Sequence, residues 1–210
     1  MNLSDIRKNY SRETLNEKSL HDPFPLFEKW MEEAIEGEVN EPTAMMLSTV
    51  SATYQPSSRI VLLKLFSNEG FHFFTNYNSR KGNEIRENSQ VALLFFWPEL
   101  EREVRIEGIA SYSSTEISDR YFSERPYESQ ISAIISPQSQ IVENRQVLEQ
   151  MWKEQQESSN GAKLERPSGW GGYHVRPEKI EFWQGRPNRL HDRILFVMDE
   201  GGWIISRLAP

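Results

Sequence analysis

The middle of the chain consists of short runs rich in β-branched and aromatic residues, and these runs limit the possible folds more than any other feature. Turn residues such as Gln55-Pro56 and Pro98 separate most of the runs. Short strands with short connections predict an antiparallel barrel or sandwich. Five strands are predicted here, at 44–50, 58–66, 71–76, 91–97 and 104–112. Two or three more are predicted near the end of the chain, at 174–183, 189–198 and 203–207, with a hairpin turn at 185–188.

Helices are predicted on both sides of the strand region. Asp22-Pro23 supplies an N-cap followed by a proline at the first helical position, and Gly37 ends this helix. Pro126 blocks a simple continuation of the third helix. The other helices are predicted at 79–88, 113–124 and 139–157. The expected fold class is mainly β with flanking helices (α+β), as one domain at 21–210 that follows a flexible polar arm at 1–20.

Two runs in the strand region are apolar without alternation. The runs 60–63 (Ile-Val-Leu-Leu) and 93–96 (Leu-Leu-Phe-Phe) place apolar side chains on both faces of their strands. The core of a small barrel buries one face, so helices or a second subunit must bury the other. We therefore expect a homodimer.

The charge balance and the lack of cysteine exclude several classes of function. The chain has 24 Lys plus Arg against 31 Asp plus Glu, and this net charge of −7 disfavours general nucleic-acid binding. Without cysteine there is no disulfide, thiolate nucleophile or iron–sulfur cluster. The start of the chain has no apolar leader, and the longest apolar run is far shorter than the roughly 20 residues that cross a membrane. We expect a cytoplasmic protein that binds neither nucleic acid nor membrane.

The sharpest local pattern is Arg189-Leu190-His191-Asp192-Arg193. Side chains alternate between the faces of a strand, so Arg189, His191 and Arg193 are expected to point the same way. Neighbouring cationic or potentially cationic groups repel one another unless an anion lies among them. The pattern indicates a wall that binds an anion or a cofactor. An exposed strand face paired with acidic neighbours is the other interpretation.

Two more patterns place cations where an anion can bind. Arg80 and Lys81 follow the predicted N-cap Ser79 at a helix start, where free N–H groups favour anions. Arg59 and Lys64 bracket an apolar strand, and their spacing puts them on opposite faces unless the strand bulges or ends between them. Ordinary surface charges are the alternative for both pairs.

A fourth pattern has the residue types of a phosphate site, a guanidinium and two hydroxyl groups. Tyr121 and Arg125 are four residues apart and are expected on one helical face. Ser129 extends this face only if the chain stays helical through Pro126. Isolated surface residues are the alternative.

The tryptophans and histidines carry weaker signals. Trp170 and Trp183 lie beside glycines, where a tryptophan can form a wall for a flat ring but more often belongs to the core. His21, His72 and His174 show no metal-ligand spacing, so no metal site is expected. Neither a P-loop nor a dinucleotide-binding glycine motif is present.

Taken together, these segments resemble the pyridoxamine 5′-phosphate oxidase family. The order and joint occurrence of the motifs carry the resemblance, which covers nearly the whole chain. The matching pieces are Asp22-Pro23, Pro42-Thr43-Ala44-Met45, the run 59–64, Phe74-Thr75-Asn76, Ser79-Arg80-Lys81, Glu101-Arg102, Tyr121-Phe122, Arg125-Pro126, Ser129-Gln130, Trp170-Gly171-Gly172, the runs 180–185 and 189–193, and Arg207-Leu208-Ala209-Pro210.

The resemblance implies a split β-barrel homodimer that binds FMN at the subunit interface. It implies a first group of FMN-binding residues, which comprises Arg59, Ile60, Val61, Leu62, Leu63, Lys64, Phe74, Thr75, Ser79, Arg80, Lys81 and Glu103. It implies a second group from the other subunit, which comprises Gln138, Ser139, Trp183 and Arg193. The implied substrate-binding residues are Arg7, Tyr10, Lys64, Tyr121, Arg125, Ser129, Arg189, Leu190 and His191.

The implied reaction is oxidation of the 4′ carbon of pyridoxamine or pyridoxine 5′-phosphate to pyridoxal 5′-phosphate. Hydride passes to the flavin, O2 accepts the electrons and yields hydrogen peroxide, and the amine substrate also releases ammonia. Arg189 and His191 are the expected catalytic residues. Arg189 is expected to hold the substrate against the flavin, and His191 to orient the 4′ substituent or take its proton. Arg193 is expected to stabilise the reduced flavin.

Glu103 is the main departure from the family pattern, which usually has a glutamine in contact with the flavin. A carboxylate only accepts hydrogen bonds, so Glu103 is expected to lower flavin affinity or potential, or to pair with Arg105 or another cation. Three other functions stay open: a carrier or sensor of FMN or pyridoxal phosphate, a split-barrel reductase with another flavin or deazaflavin, and a nucleic-acid-binding module. The pair Arg189 and His191 disfavours the first, the phosphate-type residues the second, and the net charge the third.

Overall fold

The structure, a computed structural model, describes residues 9–17 and 20–210. The helices of this part of the chain are α1 (Pro23–Glu36), α2 (Arg80–Glu87), α3 (Thr115–Glu124), α4 (Tyr127–Ile135) and α5 (Arg145–Ser159). The strands are β1 (Ala44–Val50), β2 (Pro56–Leu62), β3 (Leu65–Ser67), β4 (Gly70–Asn76), β5 (Gln90–Trp97), β6 (Arg102–Tyr112), β7 (Trp170–Gln184), β8 (Asp192–Asp199) and β9 (Gly202–Arg207).

The strands form one antiparallel sheet that closes into a barrel. The order along the sheet is β2-β1-β5-β6-β7-β4-β3, and β8 and β9 extend it beside β7. The barrel closes where the chain itself passes from β2 to β3. Leu63 N–H donates to the Thr43 carbonyl beside β1 (2.8 Å), and the next residue, Lys64, donates its N–H to the His72 carbonyl in β4 (2.9 Å). The predicted fold class, mainly β with flanking helices, is confirmed, and the architecture is a barrel.

The closure also breaks a strand that the sequence predicted as continuous. The run 58–66 is divided into β2 and β3, because Leu63 and Lys64 bond to opposite neighbours at the seam. The predicted strand at 174–183 begins earlier, at Trp170, and the one predicted at 189–198 begins only at Asp192. The stretch between these two strands contains a short 3-10 turn, Pro187–Arg189.

The helices agree with the sequence where capping signals are strong. Asp22 accepts a hydrogen bond from Phe24 N–H (2.9 Å), and α1 ends at Gly37 as predicted. Helix α4 was missed because Pro126 was interpreted as a stop, whereas it is the N-cap of the next helix. The predicted helix at 139–157 starts later, because Asn144 caps α5.

Helix α1 packs against the barrel through a group of aromatic rings in the core. The Phe27 ring is fully buried, with its centroid 5.0 Å from Phe71, 5.1 Å from Phe66 and 5.2 Å from Phe95. Ring pairs at these distances add to the free energy gained from burial. The helix therefore fixes the ends of β3, β4 and β5.

The outer face of β1, β2 and β5 remains apolar and open in the single chain. Ile60 is 60% exposed and Phe96 is 55% exposed, and Met46 pairs across the sheet with both Ile60 and Leu94. Of the two alternatives given for the second face, the structure shows that these residues are left uncovered within one chain, and burial by a second subunit stays the prediction. A contiguous apolar face of this kind indicates a protein interface, as the predicted homodimer requires.

Residues 9–17 lie along the outside of the barrel. Leu15 is buried, and its N–H donates to Asp192 (3.1 Å). Glu101 accepts hydrogen bonds from the N–H groups of Ser11 (2.9 Å) and Arg12 (3.2 Å). The segment therefore reaches the start of β8. The flexibility expected for 1–20 stays a prediction.

Among the described residues, no helix combines the length and apolar character needed to cross a membrane.

Candidate active site

The start of α2 holds a buried cation among polar side chains. Ser79 caps the helix by accepting from Gly82 N–H, as predicted. Lys81 is 8% exposed, and its ammonium donates to Thr75 Oγ1 (3.0 Å), Ser79 Oγ (3.1 Å) and Gln138 Oε1 (3.0 Å). Burial, and then the charge of Arg59, lower the pKa of Lys81 from 10.5 to about 8. The negative charge of a bound anion would counteract this lowering of the pKa.

Arg59 extends this group from the neighbouring strand. Its guanidinium donates to Thr49 Oγ1 (2.6 Å), Ser57 Oγ (2.5 Å) and Glu84 Oε2 (3.2 Å). Lys64 lies beyond the end of β2 and is exposed, so the strand ends between Arg59 and Lys64, one of the two arrangements that allow both to approach one ligand. We call Arg59, Arg80, Lys81 and Glu84 the cationic cluster.

Three members of this network were missed by the sequence analysis. Thr49, Ser57 and Glu84 surround Arg59 although none belongs to a recognisable motif. The sequence does carry a signal for Glu84, because it lies four residues after Arg80 on a predicted helix. The two side chains form an ion pair at 2.8 Å.

Gln138 belongs to the same chain as the cationic cluster. Its side-chain carbonyl accepts from both Thr75 Oγ1 (3.0 Å) and Lys81, so its expected origin in the other subunit is wrong for the arrangement seen here. Ser139 follows in a loop with a positive φ of 72° and is exposed. The loop before α5 brings Gln138 to this position, which the predicted helix at 139–157 did not suggest.

A second group surrounds Arg125, close to the end of α3. The Phe74 and Tyr121 rings stack with centroids 3.9 Å apart, and the Arg125 guanidinium lies 4.7 Å above the Trp170 ring. Arg125 is the C-cap of α3 with extended backbone, so the expected shared helical face is wrong and the turn brings the two residues together. Ser129 lies in the first turn of α4. We call Phe74, Tyr121, Arg125 and Trp170 the Arg125 cluster.

Arg125 has a hydrogen-bonding group that the described residues do not satisfy. Its Nη1 atom is buried and has no hydrogen-bond partner among them. Burial lowers the pKa of Arg125 from its usual value. A buried N–H donor without a partner is costly unless a ligand accepts from it, and a phosphate or carboxylate is the complementary group for a guanidinium.

A third group lies at the far end of β7. The Trp183 and His191 rings lie 4.6 Å apart, and Tyr10 approaches both, at 5.7 and 5.8 Å. His191 Nδ1 accepts from Arg186 N–H (3.1 Å), so a neutral ring carries its proton on Nε2. Burial, and then the charge of Arg189, lower the pKa of His191 and favour this neutral form. We call Tyr10, Trp183 and His191 the aromatic cluster.

The strand alternation predicted for 189–193 is wrong. Arg189 lies in the 3-10 turn with a φ of 61°, next to Asn188 with a φ of 59°, and both precede β8. Two successive left-handed residues turn the backbone sharply, which a regular strand does not do. Arg189 and Leu190 are therefore exposed on a turn, while Arg193 lies in β8.

Arg193 and Glu103 each pair with a neighbour on the outer face of the sheet. Arg193 donates to both carboxylate oxygens of Glu181, at 2.7 and 3.1 Å, and this pairing raises the pKa of Arg193. Glu103 pairs with Arg105, one of the alternatives that the sequence left open. Glu103, Trp183 and Arg193 lie in one row across β6, β7 and β8.

The aromatic cluster and the cationic cluster lie far apart within one chain. Thr75 pairs with Gly171 at the start of β7, and Trp183 follows twelve residues further along this strand. At about 3.3 Å per residue this separation is roughly 40 Å of strand. One chain therefore does not bring both groups to one ligand, and a site that combined them would need a second subunit. Arg7 lies outside the described residues.

Two of the histidines form a stacked pair between β4 and β7. The His72 and His174 rings are 4.6 Å apart, and His72 Nδ1 lies 2.9 Å from Ser113 Oγ. Burial, and then the neighbouring His174, lower the pKa of His72 from 6.5 to about 4. The folded protein thus favours neutral His72.

We expect this pair to weaken the fold in mild acid. The unfolded chain binds a proton near pH 6.5 and the folded chain only near pH 4, so stability is full above pH 6.5 and falls as pH decreases between these values. The expected loss is about 1–2 kcal/mol, since partial exposure reduces the full effect of about 1.4 kcal/mol per pKa unit. Urea unfolding should give a smaller difference in unfolding free energy between pH 7 and pH 4.5 for His72→Asn than for wild type or for the control His21→Asn. If the pH dependence of unfolding free energy in His72→Asn were as large as in wild type, the prediction would be wrong.

Comparison with known proteins identifies two matching family models. The model described as pyridoxamine 5′-phosphate oxidase matches residues 31–157. The model described as the pyridoxine 5′-phosphate oxidase C-terminal dimerisation region matches residues 170–210, which contain β7, β8 and β9. The second match supports a homodimer.

Relatives and solved structures agree with these models over the full length. The pyridoxine/pyridoxamine 5′-phosphate oxidase of Bacteroides thetaiotaomicron is 49% identical, covering 100% of this chain and 99% of that protein. The enzyme of the same name from Burkholderia vietnamiensis is 50% identical over 99% of both chains. PhzG from Burkholderia lata, solved with tetrahydrophenazine-1-carboxylic acid, is 27% identical with a TM-score of 0.90, covering 96% of this chain and 100% of PhzG. An FMN-binding protein from Nostoc punctiforme, 14% identical with a TM-score of 0.74 over 91% of this chain and 100% of that one, shares the fold.

Proposed function

Because the chain belongs to the pyridoxamine 5′-phosphate oxidase family, we propose that it oxidises pyridoxamine and pyridoxine 5′-phosphate to pyridoxal 5′-phosphate. FMN is the proposed cofactor, O2 the electron acceptor, hydrogen peroxide the second product, and ammonia a further product from the amine. Family membership itself supports a flavin-binding oxidoreductase.

The buried, unsatisfied Nη1 atom of Arg125 is the observation that carries this proposal. A phosphorylated substrate would complete it with a charge-assisted hydrogen bond, and the Tyr121 and Ser129 hydroxyl groups are close along the chain. The stacked rings of Phe74, Tyr121 and Trp170 give this site a rigid apolar wall. A substrate without an anionic group would leave the guanidinium uncompensated.

The cationic cluster fits the phosphate of FMN. Lys81 supplies a buried positive charge and Arg59 a partly buried one, and Arg80 begins α2, where N–H groups favour an anion. Thr75, Ser79 and Gln138 line the same place. FMN would supply a two-electron acceptor, which none of the twenty amino acids provides.

The aromatic cluster of the partner would complete the site across the dimer. The Nε2–H of neutral His191 is available as a donor to the 4′ oxygen or nitrogen of the substrate, while Nδ1 stays fixed by Arg186 N–H. Arg189, exposed on its turn, would approach the substrate from the same side. Tyr10 lies against His191 and would exclude water.

A second candidate function follows from the similarity to PhzG, namely action on a compound like tetrahydrophenazine-1-carboxylic acid, with which PhzG was solved. The high TM-score favours it. The sequence identity of 49% and 50% to two relatives named pyridoxine/pyridoxamine 5′-phosphate oxidase favours the first candidate.

Aerobic turnover distinguishes these possibilities. We expect the purified protein with FMN to convert pyridoxine 5′-phosphate to pyridoxal 5′-phosphate and hydrogen peroxide in equal amounts, with unphosphorylated pyridoxine at least about 100-fold less efficient because Arg125 then has no partner. Tetrahydrophenazine-1-carboxylic acid serves as the comparison substrate. FMN binding without product from any of these compounds would favour a carrier and refute the oxidase proposal.

A further inference from the structure

Glu84 is a buried carboxylate within the cationic cluster. It is 5% exposed, on the side of α2 that faces β1 and β2. Its Oε2 atom accepts from Thr49 Oγ1 (2.5 Å), Ser57 Oγ (2.6 Å) and Arg59 Nη2 (3.2 Å). Its Oε1 atom accepts from Arg80 Nε (2.8 Å). One side chain therefore contacts both arginines of the cluster.

The hydrogen bonds keep Glu84 ionised. Burial alone would raise its pKa, but the bonds from Ser57, Thr49 and Arg80 outweigh burial and lower the pKa to about 2. A permanent negative charge is thus held between two guanidinium groups. Arg80 uses its Nε atom for this contact, so binding Glu84 does not occupy its two terminal amino groups, and its side chain is 59% exposed.

The cluster has a formal charge that matches a phosphate monoester. Arg59, Arg80 and Lys81 contribute three positive charges and Glu84 one negative charge, which leaves a net charge of +2. A phosphate monoester carries about −1.5 to −2 near neutral pH. Burial, and to a smaller extent the charge of Arg80, lower the pKa of Arg59, while Glu84 raises it. Without Glu84 the two arginines would lack the negative charge that lies between them.

We propose that Glu84 is a positioning residue that holds Arg59 and Arg80 in the arrangement that binds the phosphate of FMN, and that it thereby sets the preference for FMN over riboflavin. This inference rests on the proposed function, because it takes the cationic cluster as the phosphate site. Glu84 would contact the arginines and leave the phosphate to them.

A purely structural role for Glu84 predicts a different result. Its bonds to Thr49 and Ser57 also join α2 to the barrel. Loss of that junction would weaken binding of any flavin. FMN and riboflavin differ only in the phosphate, so the ratio of their dissociation constants separates the two roles.

The test measures flavin binding to the apoprotein dimer by fluorescence quenching, for wild type, Glu84→Gln and Glu87→Gln. In Glu84→Gln the NH2 group of the amide is itself a donor, and it must face the guanidinium of either Arg59 or Arg80. That arginine loses its acceptor, so the arrangement of the two arginines is lost. We expect FMN to bind about tenfold more weakly, equal to about 1.4 kcal/mol, with riboflavin changed less than about twofold. Glu87 is exposed on the same helix, where it accepts a hydrogen bond from Ala52 N–H (3.3 Å), and it serves as the matched control.

The inference is overturned if Glu84→Gln weakens the binding of FMN and riboflavin equally, or if it leaves FMN binding unchanged or makes it tighter. Ser57→Ala is the second variant, since it removes one bond to Glu84 and one from Arg59 at a partly exposed position. It should shift the FMN-to-riboflavin ratio in the same direction, and an unshifted ratio also overturns the inference. A wild-type protein with no preference for FMN would instead refute the phosphate site of the proposed function.

Discussion

Replacing Arg125 with methionine is expected to lower kcat/KM for pyridoxine 5′-phosphate by about 100-fold or more, through KM, with little change in FMN affinity. The guanidinium lies above the Trp170 ring with a buried Nη1 atom that a substrate phosphate would satisfy. Charge-assisted bonds to a buried anion contribute several kcal/mol, whereas methionine retains the apolar contact with the ring. Steady-state kinetics and FMN titration on the same preparation measure both quantities.

Arg120→Met is the matched control for this prediction. Arg120 is an exposed arginine on the same helix, α3, and its removal should leave kcat/KM unchanged. If Arg125→Met retained wild-type kcat/KM, the Arg125 cluster would not be the substrate phosphate site. If FMN binding fell in parallel, the cluster would belong to the cofactor instead.

Replacing Phe27 with alanine is expected to lower the free energy of unfolding by about 3–5 kcal/mol. The ring is completely buried and contacts the rings of Phe66, Phe71 and Phe95. Its removal leaves a cavity between α1 and the barrel that rigid aromatic neighbours fill poorly. Urea denaturation of the apoprotein at fixed protein concentration gives the change in unfolding free energy.

Ile141→Ala provides the comparison for that measurement. Ile141 is fully exposed and should change stability by less than about 0.5 kcal/mol. A loss below about 1 kcal/mol in Phe27→Ala would show that α1 does not contribute to the cooperative core.

The sequence predicted those parts of the fold that depend on local signals. The Asp22-Pro23 start of α1 and the apolar strands β1 and β5 carry their own capping and turn residues, and the structure agrees with them. The break at Leu63 and Lys64 results from barrel closure, an event between distant strands that no local pattern encodes. The proline before α4 was ambiguous because proline both ends and begins helices.

The candidate site was likewise predictable only where local signals place its residues. Ser79 and Lys81 follow from a helix start, and both lie where expected. The left-handed backbone of Arg189 was not predictable, because the residue types at 189–193 permit a strand and arginine has no preference for a left-handed conformation. Gln138 reaches Lys81 through a loop that only the complete fold positions.

The separation of the aromatic and cationic clusters along β7 has a genetic consequence. In a dimer whose sites each combine one cluster from each subunit, a lesion at Trp183 and a lesion at Lys81 damage different halves of every site. A mixed dimer with one lesion in each subunit has one site that carries both lesions and one site that carries neither. Two alleles that are each inactive alone would therefore complement each other in the same cell.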